Sequence, residues 1–338
     1  MFNIKVLKME ETMKILKMGK VIETVKDVYR AKSLGDTEVF PLVFEEFEHD
    51  KAEMDIKSGW MKKDGIFGLK LVSWFAENEK KNIPTVLGTV MVFDAETGAP
   101  KGVVDGTYIT GVRTGACGAI GAKLLAREDS KNLFVLGAGN QAAHQIAATM
   151  ILFPNLEKVR VADMLSAVNA KNFVKNLPER LKNEFGLDPM KVVFEATNDL
   201  ADAIPKSDIV ITVTPSYEPV IKKEWVKPGT HFSCIGSDMS GKEEIDPEIF
   251  RGARVFVDDI PQCLNVGEIE IPVKKGVIKE ADIAGEIGDI LAGKAEGRQN
   301  DDQITIFDAT GVALLDLATA MLALEEAEKQ NIGQSAEL

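Results

Sequence analysis

The 338-residue sequence predicts an α/β protein, a doubly wound parallel sheet joined to a second, antiparallel α+β domain. Two textures of the chain predict this. From Asn132 onward, the apolar runs NLFVLG, KVRVADM, KVVFEA, DIVITVTP, HFSCIGS and RVFVDD are separated by segments of helical length, such as 140–153 and 165–185. These runs show no strict polar–apolar alternation, as expected of strands buried on both faces of a parallel sheet. Before residue 100 the segments Val39–Glu48, Glu53–Trp60, Gly65–Phe75 and Pro84–Phe93 are strand-like and punctuated by Asp-Lys, Lys-Asp-Gly and Asn-Ile-Pro. That pattern reads as hairpin-connected antiparallel structure.

The elements follow in order. Met13, Leu16, Ile22, Val25, Val28 and Tyr29 recur at near-helical spacing, so the first ~35 residues are expected to be helical. The stretch DAETGAP at 94–100 turns the chain into a short strand, followed by a helix from about Thr110. In the last segment, Gly311–Lys329, Leu314, Leu315, Leu317, Ala318, Met321, Leu322 and Leu324 form the apolar side of one amphipathic helix. We expect residues 1–127 and 311–338 to form a substrate-binding and dimerisation domain, and residues 128–310 to form a nucleotide-binding domain.

Composition excludes several classes. Forty Lys and Arg against 53 Asp and Glu give a net charge of −13, unsuited to nucleic acid or an anionic membrane surface. Cys117, Cys234 and Cys263 are too scattered for a disulfide framework, and His49, His144 and His231 form no close pair, so no metal centre is expected. The first twenty residues carry charges every few positions and lack the apolar stretch of a signal peptide or membrane span. The expectation is a cytoplasmic protein.

The clearest chemistry lies at Gly137-Ala138-Gly139-Asn140-Gln141-Ala142, directly after the strand NLFVL and opening a helix. This is G-x-G-x-x-A, the loop of a Rossmann-type fold. Gly137 makes the tight turn, Gly139 lets the backbone approach a pyrophosphate, and the first turn with Asn140 and Gln141 supplies an anion site. The next strand ends in Asp163, 24 residues after Gly139, where a carboxylate can accept the ribose hydroxyls. The residues that follow, Met164 to Ala167, offer no cation for a 2′-phosphate, so the cofactor expected is NAD rather than NADP. Thr212 and Thr214 end a later strand and are expected to line the same crevice.

Three further residues are candidates for chemistry. Lys70 lies in FGLKLVSWF, where apolar neighbours on both faces imply a part-buried ammonium that requires an anion; a lysine reaching a sheet edge is the alternative. Arg113 follows Thr110, read as a helix N-cap, and precedes Gly115, Ala116, Gly118, Ala119, Gly121 and Ala122. So many small residues imply close packing against another element or a ligand. An Arg in a first turn suits a substrate carboxylate or a cofactor phosphate; Thr114 beside it is counted among the cofactor contacts. Asp238, in the loop after HFSCIGS, is placed where open α/β sheets bind ligands, as a general base or as a counter-charge to an ammonium or iminium. A plain turn former is its alternative reading.

The stretches GLKLVSW, PTVLGTVMVFDAETGAP, DGTYITGVRTGA, LGAGNQA, HFSCIGSDMSGKEEIDPEIF and GRQNDDQITIFDATGVALLDLATA together resemble the ornithine cyclodeaminase/μ-crystallin family, which also includes alanine dehydrogenases and ketimine reductases. The resemblance covers nearly the whole chain from residue 65. It implies a homodimer and chemistry at the Cα–N bond of a small amino or imino acid. It also implies that Lys70 and Arg113 hold the substrate carboxylate, that Asp238 is the catalytic carboxylate, and that Thr85 lies near the substrate. One departure stands out. Where the family carries Pro-x-Arg, this chain reads Phe40-Pro41-Leu42-Val43, with Val43 in the arginine's place and Lys57 or Glu46 as candidates to line the altered wall. The reading is an NAD-dependent oxidoreductase of α-amino or imino acids, acting as a dehydrogenase or an imine reductase. A diamino-acid cyclodeaminase and a non-catalytic μ-crystallin-like binding protein are the alternatives.

Overall fold

In the computed structural model, which describes residues 2–49 and 51–338, the punctuated N-terminal segments form an eight-stranded sheet. Its members are β1 (Asn3–Leu7), β2 (Thr37–Val39), β3 (Val43–Glu48), β4 (Ala52–Met61), β5 (Ile66–Phe75), β6 (Val86–Asp94), β7 (Pro100–Asp105) and, from the C-terminus, β16 (Gln334–Glu337). The order is β16-β1-β7-β6-β5-β4-β2, with β3 paired to β4. All pairs are antiparallel except β1 with β7.

The helical expectation for the first ~35 residues is corrected at its start. Residues 3–7 are a strand, and the helices are α1 (Met9–Ile15) and α2 (Met18–Leu34). The segment NIKVL has too few residues to show a helical period, and partners far along the chain, β7 and β16, decide its state. Gly35, at φ 81°, ends α2 in the left-handed conformation that glycine adopts without strain.

The long helix α10 (Ala313–Gln330) covers one face of this sheet. Glycines on three strands allow it to do so. A Cβ on Gly59, Gly68 or Gly102 would lie 2.9, 2.8 or 2.5 Å from a methyl of Leu314, Leu317 or Leu324, respectively. The same side chains form the apolar stripe read from the sequence. Lys70 is two residues beyond Gly68 on β5 and therefore shares the helix-covered face.

The second set of strands is all parallel: β8 (Asn132–Leu136), β9 (Lys158–Ala162), β10 (Val193–Ala196), β11 (Ile209–Thr212), β12 (His231–Cys234), β13 (Arg254–Val257), β14 (Ile283–Glu286) and β15 (Thr305–Asp308). The order β10-β9-β8-β11-β12-β15-β13-β14 reverses direction between β8 and β11, the point at which doubly wound sheets open a crevice. Strands β11, β12 and β15 are buried at every position, which is why their sequences are uninterrupted apolar runs. The connecting helices are α4 (Asn140–Leu152), α5 (Ala167–Phe185) and the short α6 (Leu200–Ala203), α7 (Ile260–Val266), α8 (Glu270–Lys274) and α9 (Ile287–Leu291).

By contacts the chain divides into one unit of Met1–Arg113 with Val312–Leu338 and another of Thr114–Gly311. The division falls inside helix α3 (Gly106–Leu125) rather than near residue 128. The small residues of α3 explain this. A Cβ on Gly115 would lie 2.6 Å from the His144 backbone, on Gly118 2.2 Å from Gln145 Oε1, and on Gly121 2.1 Å from Phe307 Cδ1. The second half of α3 is therefore pressed onto α4 and β15. The close packing expected of this run is with other elements. Each glycine weakens the helix by about 1 kcal/mol relative to alanine, a cost offset by that close approach.

Candidate functional site

In the N-terminal unit the sheet and α10 build a buried charge cluster. Lys70 is 3% exposed, and its Nζ lies 3.0 Å from Asp316 Oδ2. Arg113 is 5% exposed, and its Nε donates to Asp316 Oδ1 at 3.0 Å. Asp316 itself is wholly buried. The anion that Lys70 requires is thus the protein's own, supplied from α10. Burial, the neighbouring Arg113 and Lys57 lower the Lys70 ammonium to about 8, with Asp316 opposing them. Burial alone would raise the Asp316 carboxyl; Arg113 and Lys70 outweigh it and hold the group below the usual carboxylate range.

Arg113 reaches this cluster by a different route from the one its sequence suggests. The helix starts at Gly106, where the Thr107 N–H donates to Asp105 Oδ1 at 2.9 Å, and Thr110 is an interior residue. Arg113 is therefore about two turns past the helix start, beyond the reach of the helix N-terminal field. Its position is fixed by Asp316. The carboxylate was missed by sequence reasoning because it falls among leucines in ALLDLATA; a lone Asp amid an apolar stripe was the available signal.

Strand register places the other candidates. Lys57 stands directly opposite Lys70, on the same face. Asp55 lies one step further along that face, opposite Val72. Val43 pairs with Ile56 and so belongs to the opposite face, that of Leu71. An arginine at that position would not join Lys70. Glu46 pairs with Glu53, opposite Trp74, on the face of Lys70 but four residues along it. The Thr85 carbonyl accepts from the Phe75 N–H at 2.9 Å, five residues beyond Lys70. Thr85 is thus about 16 Å along the strand, and the fold does not bring it to the cluster.

The nucleotide loop lies in the other unit, at the end of β8. Gly137 has φ 111°, and its Cβ would sit 2.9 Å from the Val213 carbonyl, so the fold requires glycine there. Gly139 differs. A Cβ there would meet nothing within 4 Å, and Gly139 heads α4 with no side-chain cap on the first-turn N–H groups. Internal packing does not explain this glycine, whereas a phosphate approaching the helix N-terminus would. Asn140 is exposed and its Oδ1 accepts from Arg180 Nη2 at 2.8 Å; Gln141 is half-buried in the same turn. The Thr114 carbonyl accepts from Gln145 Nε2 at 2.9 Å, tying α3 to α4. Asp163 Oδ1 accepts from the Leu165 and Ser166 N–H groups, an Asx turn that fixes the carboxylate at the end of β9. A cleft of about 770 Å³ lies near it, lined by Met164, Asn198, Asp199, Leu200, Val220 and Trp225 among others. These features fit a dinucleotide.

Asp238 lies in the same unit, in the loop after β12. It is exposed, and its Oδ1 accepts from Lys242 Nζ at 2.6 Å. Thr212 and Thr214 at the end of β11 do not present free hydroxyls: both donate to the buried carboxylate of Glu244, at 2.6 and 2.7 Å.

Residues 3–331 match the model of the ornithine cyclodeaminase/mu-crystallin family. The chain belongs to that family. Among its relatives, an alanine dehydrogenase of Archaeoglobus fulgidus is 37% identical over 328 residues, covering 97% of this chain and 96% of the relative. The solved structure of an archaeal alanine dehydrogenase dimer with bound NAD superposes with a TM-score of 0.90 at 35% identity, covering both chains completely. That of the Thermococcus litoralis Δ1-pyrroline-2-carboxylate reductase, in complex with NADH and L-proline, has a TM-score of 0.90 at 34% identity and covers 98% of this chain and all of the other.

For this member of the family, the acids that sequence reasoning did not single out are as notable as the bases it did. Glu244, Glu268 and Asp308 are buried at or beside the ends of β11, β12 and β15. Burial raises Glu244 to about 7 and Asp308 to about 8, and pushes Glu268 well above its ordinary value. Each sits at the edge of an apolar run or in a loop, so its composition gave no hint of burial.

Proposed function

We propose that this chain is an NAD-dependent oxidoreductase acting on the C–N bond of a small α-amino or imino acid. The observation that carries the reading is the charge of the buried cluster. Lys70 and Arg113 are buried side by side on one carboxylate, Asp316, and Lys57 stands opposite Lys70, so cations gather on one face of the sheet. A guanidinium and an ammonium held together suit a substrate carboxylate, which accepts charge-assisted hydrogen bonds from both. Relatives over a third identical act on or bind such molecules, as their names state.

In the other unit, Gly137, Gly139 and the first turn of α4 with Asn140 and Gln141 would hold the pyrophosphate. Asp163 would take the ribose hydroxyls, and the cleft beside Met164 and Trp225 would take the adenine. When bound, the nicotinamide supplies the hydride acceptor in amine oxidation and the donor in imine reduction. Lys70 and Arg113 orient the substrate by its carboxylate. Asp238 receives a proton from the substrate ammonium, leaving the nitrogen lone pair free to form the C=N bond as hydride departs; in reverse it returns that proton. Lys242 keeps the Asp238 side chain aimed.

Purified protein with NAD and a panel of α-amino acids should generate reduced nicotinamide, and NADH with the matching imines should consume it. Asp238→Asn should abolish turnover while leaving NADH binding intact; full turnover by that variant contradicts the role of Asp238. A second reading, a diamino-acid cyclodeaminase, is favoured by Asp55, whose carboxylate shares the Lys70 face and suits a distal ammonium. It would release ammonia without net reduction of NAD.

Homodimerisation is part of the proposal. On the sheet face opposite α10, Val43, Phe47, Leu71, Phe75 and Leu87 are between 37% and 59% exposed, an apolar patch suited to a second copy. We place the protein in the cytoplasm: its three cysteines are free and buried. No helix among the described residues is long and apolar enough to cross a membrane.

A further inference from the structure

Glu244 gathers donors from two adjacent strand ends. Its Oε2 accepts from Thr212 Oγ1 at 2.6 Å and from the Gly236 N–H at 3.0 Å. Its Oε1 accepts from the Thr214 N–H at 2.6 Å and from Thr214 Oγ1 at 2.7 Å. An ionised carboxylate is acceptor-only with about four lone-pair sites, so donors and acceptors match. The packing is built around this group. A Cβ on Gly236 would lie 2.6 Å from Glu244 Oε2 and 2.3 Å from the Thr214 carbonyl oxygen, so only glycine fits. Glu268 Oε1 accepts from the backbone N–H groups of Glu244 and Ile245, at 2.7 and 2.8 Å, and fixes the chain beneath.

The loop between Gly236 and Glu244 carries Asp238. It is tied again further along, where Ser240 Oγ and the Gly241 N–H donate to Glu270 at 2.6 and 2.8 Å. Ser237 Oγ donates to the Lys242 carbonyl at 2.8 Å, closing the turn. Asp238 is left outward on an otherwise anchored loop.

We propose that Glu244 is a positioning residue for turnover: as a carboxylate it clamps the ends of β11 and β12 and thereby sets the loop that presents Asp238. This rests on the role given to Asp238 above. Adding a proton to either oxygen, or replacing the side chain by an amide, turns an N–H or O–H toward existing donors. The backbone N–H groups of Thr214 and Gly236 cannot reverse. The amide therefore loses at least one clamp, whereas a proton reverses a threonine hydroxyl and weakens the clamps by removing the charge that assists them. The titratable groups facing Glu244 are the buried carboxyl of Glu268, ahead of α8, and the buried thiol of Cys234 on β12; neither supplies a positive charge. Burial raises its carboxyl to about 7, against the pull of the four donors.

The test uses the full-length protein, with NADH binding followed by fluorescence and turnover followed across pH. Wild type is expected to lose kcat as the pH falls through about 7. Glu244→Gln is expected to be slower above that pH by about tenfold or more, the ratio carried by one lost hydrogen bond to a charged group, and flat across it. Thr212→Val keeps the carboxylate and removes one donor, so its acid limb should move to higher pH. The proposal is overturned by an E244Q variant that matches wild type or keeps the wild-type acid limb. It is equally overturned by a T212V limb that stays in place, a readout that remains should E244Q not fold. A wild-type protein that neither binds NADH nor turns over any amino or imino acid would instead remove the functional reading beneath it.

Discussion

Replacing Asp316 by Asn removes one charge and almost no volume, and it tests how the cation pair is held. Each of its contacts, to Lys70 and to Arg113, is 3.0 Å long. At an effective dielectric of about 20, unit charges at that distance attract by roughly 5 kcal/mol. For Lys70, that attraction opposes burial, Arg113 and Lys57, and the balance leaves its ammonium at about 8. Losing even a third of it moves the lysine down by about one pH unit, since a unit corresponds to 1.36 kcal/mol. Losing all of it makes Lys70 neutral at physiological pH.

The substrate carboxylate then loses one charge-assisted partner. A loss of about 1.5–3 kcal/mol, or roughly 10–100-fold, should appear mainly in the KM for the amino acid. The alkaline limb of kcat/KM, which in wild type should fall as pH rises through about 8, should move to lower pH. NADH affinity should not change, because the nucleotide loop belongs to the other unit. Removing one partner of a buried ion pair costs about 3–5 kcal/mol, so the melting temperature should also fall. The assay is kcat/KM against pH for D316N and wild type, with NADH titration as the control for folding. An unchanged KM together with an unmoved alkaline limb would refute the argument that Asp316 sustains the charge on Lys70.

Two further outcomes follow from the parallel-sheet unit. Gly121→Ala puts a methyl 2.1 Å from the Phe307 ring; overpacking should cost about 1–3 kcal/mol despite the better helix propensity of alanine, as read by denaturant unfolding. The buried acids make stability fall with rising pH. Glu244 and Asp308 titrate at about 7 and about 8 in the folded chain, so between the ordinary carboxylate range and those values the native state holds protons that the unfolded state releases. Asp308→Asn should remove several kcal/mol of that decline between about pH 4 and about pH 8. An unaltered slope of unfolding free energy against pH would show that Asp308 is not the proton holder.

Much of the fold was legible because it rests on local regularities. The apolar runs gave the parallel strands, the punctuation near Asn82-Ile83-Pro84 and Lys62-Lys63-Asp64 gave the hairpins, and the leucines of α10 gave a covering helix. The loop from Gly137 to Ala142 carried its chemistry in its spacing, because a tight turn followed by a helix start requires those residue types in that order. By contrast β1 and β16 were invisible: each is short, and each exists only because a distant strand pairs with it.

The candidate site divides along the same line. Local pattern was enough to place Lys70 among apolar neighbours in need of an anion, and Asp238 in the loop that follows a strand of the parallel sheet. It could not say which anion. Residues 70, 113 and 316 are far apart in the chain, and only the packing of α10 on Gly59 and Gly68 brings the Asp316 carboxylate within 3.0 Å of both cations. Tertiary structure likewise decided that Thr212 and Thr214 serve Glu244, because a side-chain acceptor arriving from 30 residues away leaves no periodic trace. Local pattern encodes which surfaces must be buried. Which charges meet inside them is fixed only when distant segments pack, since the free energy of a buried ion depends on every neighbour that replaces its water.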